Sequence, residues 1–125
     1  MKSKILILDD DAELLANYED LLEYEGYNVF SYTDPRKVMF EFKAGFYDLA
    51  ILDVSIFGDK NAGFFVCREI RKIDEKIIIA MNTAWGISGN EDASISSGAN
   101  AIWSKSIELN EFIEKIYDVL NLDGD

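Results

Sequence analysis

Two runs of consecutive apolar residues, each closed by acidic residues, stand out in the hydrophobic pattern of the chain. Residues 49–52 are followed by Asp53, and residues 5–8 are followed by three aspartates at 9–11. Apolar runs without polar alternation are typical of strands buried on both faces, as in the middle of a parallel sheet. Parallel strands end at the same edge of a sheet, so the acids after both runs should meet in one crevice.

The rest of the pattern predicts strands that alternate with helices. Right-handed βαβ units place such helices on both faces of a parallel sheet. The expected fold is therefore α/β, with three layers and a doubly wound (βα)5 order around five parallel strands. The predicted strands cover residues 4–8, 28–32, 49–53, 77–81 and 99–104. The predicted helices run from the acids after the first strand to about residue 25, from 34–35 to 45, from 63 onward, briefly within 85–97, and over 109–120.

The apolar stripes of the helices predict which of their residues are buried. Phe42 belongs to the predicted buried face of the second helix, and Gly45 should end that helix. Ile73 on the third helix and Leu109 on the fifth are also assigned to buried faces. Cys67, the one cysteine, has apolar neighbours and should be a buried structural thiol.

Composition narrows the class of protein. The chain has 24 acidic residues against 12 Lys and Arg, and its formal charge of -12 opposes the phosphate backbone of nucleic acid, so direct DNA binding is not expected. The apolar runs are too short for a membrane helix or a signal peptide. We therefore expect a single cytoplasmic domain over residues 1–125 without membrane insertion. Met1 and the short tail favour an unfused chain.

Polar residues that can carry chemistry follow four of the predicted strands. Asp9 and Asp10 follow the first strand, Asp53 the third, Thr83 the fourth and Lys105 the fifth. Each one alone is better explained without a function, as a helix cap, a threonine at a strand end or a solvated lysine. Together they would place three carboxylates, a hydroxyl and an ammonium at one edge of the sheet.

This set of groups predicts a phosphoryl-accepting site. Crowded carboxylates repel one another, so one of them takes up a proton or a cation neutralises them. Oxygen ligands favour a hard cation, and Mg²⁺ is expected there, with Mn²⁺ as the alternative. A carboxylate beside the metal can act as a nucleophile and form an aspartyl phosphate.

The sequence resembles the receiver domains of two-component response regulators over nearly its whole length. The resemblance is carried by the segments "ILILDDD", "YDLAILDVSIFG", "GFFVCREIRK" and "GANAIWSKS". It implies a flavodoxin-like fold with strand order 2-1-3-4-5. It also implies a signalling domain rather than an enzyme, phosphorylated by a sensor histidine kinase or a phosphotransfer protein.

The resemblance implies a role for each residue of the site. Phosphorylation would draw Thr83 inward and change the surface formed by helix 4, strand 5 and helix 5, which would signal to a downstream partner. Dimerisation of the chain is possible as well. By position, Asp53 would be the phosphoacceptor, Asp9, Asp10, Asp53 and the backbone carbonyl of Ser55 would hold Mg²⁺, Thr83 would be the switch hydroxyl, and Lys105 would be the family's lysine.

Four positions depart from the family pattern. Ile102 replaces the usual aromatic residue, and Ser106 replaces the proline that usually follows Lys105 with a cis bond. Phe57 replaces a common proline in a loop that is about two residues longer than usual. Trp85, two residues after the switch hydroxyl, is expected to hinder the water that would remove a phosphoryl group.

Two other functions compete with a phosphorylated switch. A pseudo-receiver would keep the fold as a phosphorylation-independent interaction module, and the missing aromatic and proline favour it. A Mg²⁺-dependent phosphatase with an aspartyl nucleophile would need a second acid two positions after Asp53, where the chain has Ser55.

Overall fold

The computed structural model describes residues 2–84 and 87–121 of the chain. Strands and helices alternate from end to end, as predicted. The strands are β1 Lys4–Leu8, β2 Asn28–Tyr32, β3 Leu49–Asp53, β4 Ile78–Thr83 and β5 Ala101–Ser104. The helices are α1 Ala12–Tyr24, α2 Pro35–Glu41, α3 Ala62–Ile73, α4 Glu91–Ser97 and α5 Leu109–Leu120.

The five strands form one sheet in the order β2-β1-β3-β4-β5, and every neighbouring pair is parallel. This confirms the α/β, doubly wound class and the strand order that the resemblance implied. β1 and β3 lie in the middle, and each is covered on both faces, which explains their unbroken apolar runs.

Helices cover both faces of the sheet and divide the core into two layers. α1 and α5 pack on one face through Leu15, Tyr18, Leu22, Phe112 and Ile116. On the opposite face, α2 and α3 pack through a cluster that includes a fully buried Cys67, as predicted for that thiol. No helix in the two described segments, residues 2–84 and 87–121, has the length and apolar character needed to cross a bilayer.

Helix α2 is shorter than predicted, because it ends at Glu41 and not at Gly45. Phe42 leaves the helical conformation, with φ -60° and ψ 134°, and its ring stacks on Tyr47 at 5.3 Å between centroids. The aromatic contact ends the helix before the glycine is reached.

Two residues assigned to buried faces are exposed. Ile73 is 53% exposed, because Asp74 takes the next inward position and accepts hydrogen bonds from the backbone N–H groups of Lys76 and Ile77. Leu109 is 50% exposed, because it opens α5 one turn before the part of that helix that packs on the sheet.

Candidate functional site

The register of the sheet places a row of polar residues at its carboxyl edge. Asp53 pairs with Asn82, and Asn82 pairs with Trp103. Leu8 pairs with Leu52, so Asp9 continues the row next to Asp53. Because side chains alternate between the two faces along a strand, the side chains of this row face the layer of α1 and α5.

The three predicted carboxylates form one cluster. Asp9, Asp10 and Asp53 each offer an oxygen within 4.8 Å of the others. Asp9 and Asp53 are almost fully buried, whereas Asp10 is partly exposed at the mouth of the site. Carboxylate oxygens at this spacing match the ligands and the charge that a hard divalent cation requires. The donor set therefore fits Mg²⁺.

Lys105 reaches the carboxylate cluster, although it follows the edge strand β5. Its Nζ lies 2.6 Å from Asp9 Oδ2 and 2.9 Å from Asp53 Oδ2. Charge-assisted hydrogen bonds of this length are strong when the partners are shielded from water, as they are here. The ammonium offsets part of the repulsion between the two acids.

Burial dominates the electrostatics of Asp53. It raises the pKa of the carboxyl to about 6, with Asp9 and Asp10 adding to the rise and Lys105 opposing it. For Lys105, burial alone would lower the pKa, but the hydrogen bonds with Asp9 and Asp53 outweigh it and the pKa is raised. The site thus holds a carboxylate that is costly to ionise beside an ammonium that stays charged.

Backbone N–H groups orient the two N-terminal acids. Asp9 Oδ1 accepts a hydrogen bond from the N–H of Asp11 at 2.9 Å. Asp10 Oδ2 accepts one from the N–H of Phe57 at 2.8 Å, and Phe57 takes the left-handed conformation with φ 50°. The loop after β3 therefore helps to hold a proposed metal ligand.

A glycine lets α3 approach the end of β3 closely. The N–H of Gly63 donates to the carbonyl of Val54 at 3.0 Å. A Cβ at position 63 would overlap the backbone carbonyl oxygen of Asp53. Glycine is thus required by the close contact between α3 and the end of β3.

Thr83 and Ser55 lie at the edge of the site. Thr83 ends β4, is fully buried, and its carbonyl accepts the N–H of Lys105 at 2.8 Å. Ser55 follows β3 and lines a cavity of about 460 Å³ together with Gly58, Lys60 and Asn90. The roles of Thr83 as a switch hydroxyl and of Ser55 as a carbonyl ligand stay predictions.

Two members of the polar layer were not identified as site residues from the sequence. Tyr18 lies at an apolar-stripe position of α1, yet its hydroxyl shares a hydrogen bond with the side chain of Asn82. Asn82 lies near the end of β4, is 2% exposed and pairs with Asp53. An amide inside an otherwise apolar strand was the available signal.

A family comparison decides the class of this protein. The model of the response regulator receiver domain matches residues 5–117 of the chain. The chain belongs to the response regulator receiver family. The geometry described above is compatible with the roles that the family resemblance implies for Asp9, Asp10, Asp53 and Lys105.

Relatives and solved structures agree with this membership. A probable transcriptional regulator ycf27 of Galdieria sulphuraria is 34% identical over 119 residues, which cover 95% of this chain and 46% of that protein. The transcriptional regulatory protein YkoG of Bacillus subtilis is 29% identical over 98% of this chain and 53% of its own length. The chain therefore spans about half the length of these curated relatives.

Receiver structures share the fold of this chain closely. A CheY-like receiver domain protein of Methanospirillum hungatei has a TM-score of 0.86 at 27% identity and covers 96% of this chain and 94% of its own. The response regulator TrrA of Thermotoga maritima, solved in complex with Mg²⁺-BeF, has a TM-score of 0.81 at 29% identity, covering 95% and 99%.

The departures from the receiver pattern have structural consequences at three positions. Ile102 is half-buried and packs on the core of the α2–α3 face. The peptide bonds of the described residues are all trans, including the one before Ser106, whose N–H donates to Ser104 Oγ at 3.1 Å. Phe57 adopts the left-handed conformation given above. Trp85 lies outside the described residues, so its predicted effect on water stays a prediction.

Proposed function

We propose that Asp53 accepts a phosphoryl group from the phosphohistidine of a sensor histidine kinase or a phosphotransfer protein, in a Mg²⁺-dependent reaction. The observation that carries this proposal is the contact of one ammonium with two buried carboxylates. Lys105 bridges Asp9 and Asp53 where Asp10 completes the acidic cluster. An ammonium fixed on the acceptor oxygen is positioned to neutralise charge on a transferred phosphoryl group.

The transfer forms one bond and breaks one. A carboxylate oxygen of Asp53 attacks the phosphorus, the P–N bond to the donor imidazole breaks, and the imidazole leaves with the electron pair of that bond. Asp53 must be ionised to attack, and with a pKa of about 6 its carboxyl is largely ionised at pH 7.5.

The metal would be held by side chains that already lie together. Asp9, Asp10 and Asp53 would supply carboxylate oxygens, and Ser55 would supply its backbone carbonyl. When bound, Mg²⁺ neutralises charge and aligns the phosphoryl group for in-line transfer. Thr83 would donate a hydrogen bond to the transferred group. The Mg²⁺-BeF complex named for the Thermotoga maritima relative supports the same chemistry here.

Phosphorylation would then act as a switch for a downstream protein. The surface of α4, β5 and α5 would change when Thr83 moves toward the phosphoryl group. A partner that prefers that state would shift the equilibrium further, by its difference in affinity for the two states. The relatives are named transcriptional regulators, and the present chain, with a charge of -12, would signal without contacting DNA itself.

Family membership supports proposals for the location and type of this domain. We place the protein in the cytoplasm. We propose that residues 1–125 form one signalling domain and not an enzyme with turnover of its own. Its upstream partner would be a histidine kinase or a phosphotransfer protein.

Intact-mass spectrometry tests the proposal directly. The folded protein is incubated with Mg²⁺ and acetyl phosphate, and native protein should gain the mass of one phosphoryl group. Asp53→Asn should gain none, and removal of Mg²⁺ by a chelator should stop the reaction in native protein. Asp20→Asn, at an exposed position on α1, is the matched control and should react like native protein.

The outcome also separates the competing functions. Native protein that is folded but stays unmodified would favour the pseudo-receiver. Amide spectra of the same samples test the switch, since phosphorylation should shift resonances within residues 85–115. Equal spectra for phosphorylated and unmodified protein would contradict the proposal that α4, β5 and α5 form the output surface.

A further inference from the structure

The side chain of Lys105 crosses a strand to reach its partners. β4 lies between β5, which carries Lys105, and β3, which carries Asp53. Neighbouring strands are separated by about 4.8 Å, so the lysine must extend over the end of β4 to contact Asp53 and Asp9. The last residue of β4 on that face of the sheet is Asn82.

Asn82 has an amide atom without a partner among the residues that the structure describes. The side chain is 2% exposed, and its Oδ1 accepts no hydrogen bond from residues 2–84 or 87–121. The hydroxyl of Tyr18 holds the other end of the amide. Turning the amide over would leave its N–H group unpaired instead. Burying an unpaired polar atom costs free energy, and such atoms in folded proteins call for an explanation.

Tyr18 ties this amide to the rest of the site. Burial raises the pKa of its phenol, while the hydrogen bond with Asn82 and the nearby charge of Lys105 oppose the rise. The ring is fixed by stacking on Phe112 of α5, with centroids 4.5 Å apart. The Asn82 side chain is therefore linked to a ring that α5 holds in place.

We propose that Asn82 is a positioning residue for Lys105, whose ammonium it holds through the free Oδ1 when a metal ion takes Asp9. This inference rests on the proposed function of Asp53 as a phosphoacceptor. An ammonium has three N–H donors, and two of them are used by Asp9 and Asp53 before the metal binds.

Metal binding would change the hydrogen-bond partners of the Lys105 ammonium. A divalent cation held by Asp9 would compete with the Lys105 ammonium for that carboxylate, and the lysine would lose one partner. Asn82 Oδ1, on the strand that the lysine side chain crosses, would replace that partner and keep Nζ on the side of Asp53. Lys105 is then already in place when the phosphoryl group arrives.

The rate of phosphorylation tests this role. In Asn82→Leu, the rate constant at saturating acetyl phosphate and Mg²⁺ should fall about tenfold, the size expected for one hydrogen bond to a charged group. The dissociation constant for Mg²⁺, measured by calorimetry, should change less than about twofold, since no metal ligand is altered. Tyr18→Phe keeps the ring stack but frees the amide, and its rate should fall by roughly threefold.

A double-mutant cycle separates positioning from a structural role. If Asn82 acts through Lys105, Asn82→Leu should cause no further loss in the Lys105→Met background. Equal slowing with and without the lysine, or an unchanged rate in folded Asn82→Leu, would overturn the inference. If Asn82→Leu does not fold, as judged by circular dichroism, Tyr18→Phe is judged by the same two criteria.

The result for native protein shows whether the phosphoacceptor role of Asp53 fails or only the positioning role of Asn82. If native protein is not phosphorylated at Asp53, the proposed function fails first. If native protein is phosphorylated while both variants react at the native rate, the phosphoacceptor role stands and the role of Asn82 is wrong.

Discussion

At the scale of single residues, Asp53 destabilises the fold that holds it. Its pKa is about 6 in the folded protein and 3.8 in an unperturbed chain, chiefly because of burial. The folded state thus binds the proton more tightly than the unfolded state does. The stabilising effect of protonation is complete below about pH 4 and is lost as the pH rises through 6.

Asp53→Asn should therefore stabilise the protein in a pH-dependent way. Above pH 7 the free energy of unfolding should exceed that of native protein by about 2 to 3 kcal/mol, following the shift of about two pKa units. The difference should vanish near pH 4, where native Asp53 is neutral as well. Urea unfolding at several pH values measures it, and a constant difference from pH 4 to 8 would contradict the assignment. Asp20→Asn, an exposed acid, should give no such trend.

The convergence of acidic and basic side chains could be predicted because each of these residues follows an apolar strand. Asp9, Asp53 and Lys105 come together, as predicted from the common edge of parallel strands. The backbone contact of Phe57 with Asp10 could not be predicted, because a bulky residue with positive φ contradicts its local preference.

At the scale of elements, one arginine joins the end of α3 to the loop between α4 and β5. Arg71 Nε and Nη2 donate to the carbonyl of Gly98 at 3.0 and 2.9 Å, and Nη2 also donates to Asn100 Oδ1 at 2.9 Å. Nη1 donates to the carbonyl of Ile77 at 2.7 Å, just before β4. These contacts fix the C-terminal end of α4, so a switching motion of that helix should occur at its other end.

Arg71→Met should destabilise the protein by about 3 kcal/mol, because several partly buried carbonyls lose their donor at once. Lys in its place should restore little of this, since an ammonium cannot reproduce the planar fork of a guanidinium. Unfolding in urea checks both variants. Arg68→Met is the matched control on the exposed side of α3 and should change stability by less than about 0.5 kcal/mol. A similar loss in both methionine variants would show that the contacts of Arg71 are not responsible.

The boundaries of elements were harder to predict than their order. Alternating strands and helices follow from apolar periodicity, which is strong in this chain. The end of α2 depends instead on Phe42 stacking on Tyr47, a contact between residues outside the helix. The exposure of Ile73 likewise depends on Asp74 turning inward to bind backbone N–H groups. Tertiary packing determines these helix boundaries and burial patterns, and the local hydrophobic pattern does not contain that information.

At the scale of the whole molecule, the net charge of -12 and the buried acidic cluster both oppose folding through repulsion between negative charges. Any cation weakens the general repulsion by screening, whereas only a bound ion neutralises the cluster itself. Thermal unfolding can separate the two effects, because binding depends on particular side chains and screening depends on ionic strength.

Mg²⁺ should raise the melting temperature of native protein beyond the effect of NaCl at equal ionic strength. At about 100 times its dissociation constant, a ligand of the folded state contributes about 2.7 kcal/mol, or roughly 8 °C for a domain of this size. Asp10→Asn should lose most of this extra shift, because it removes a ligand charge at the mouth of the site while leaving the Lys105 bridge intact. Asp20→Asn should keep it. If NaCl and Mg²⁺ give equal shifts in native protein, the acidic cluster responds to general charge screening and does not bind the metal.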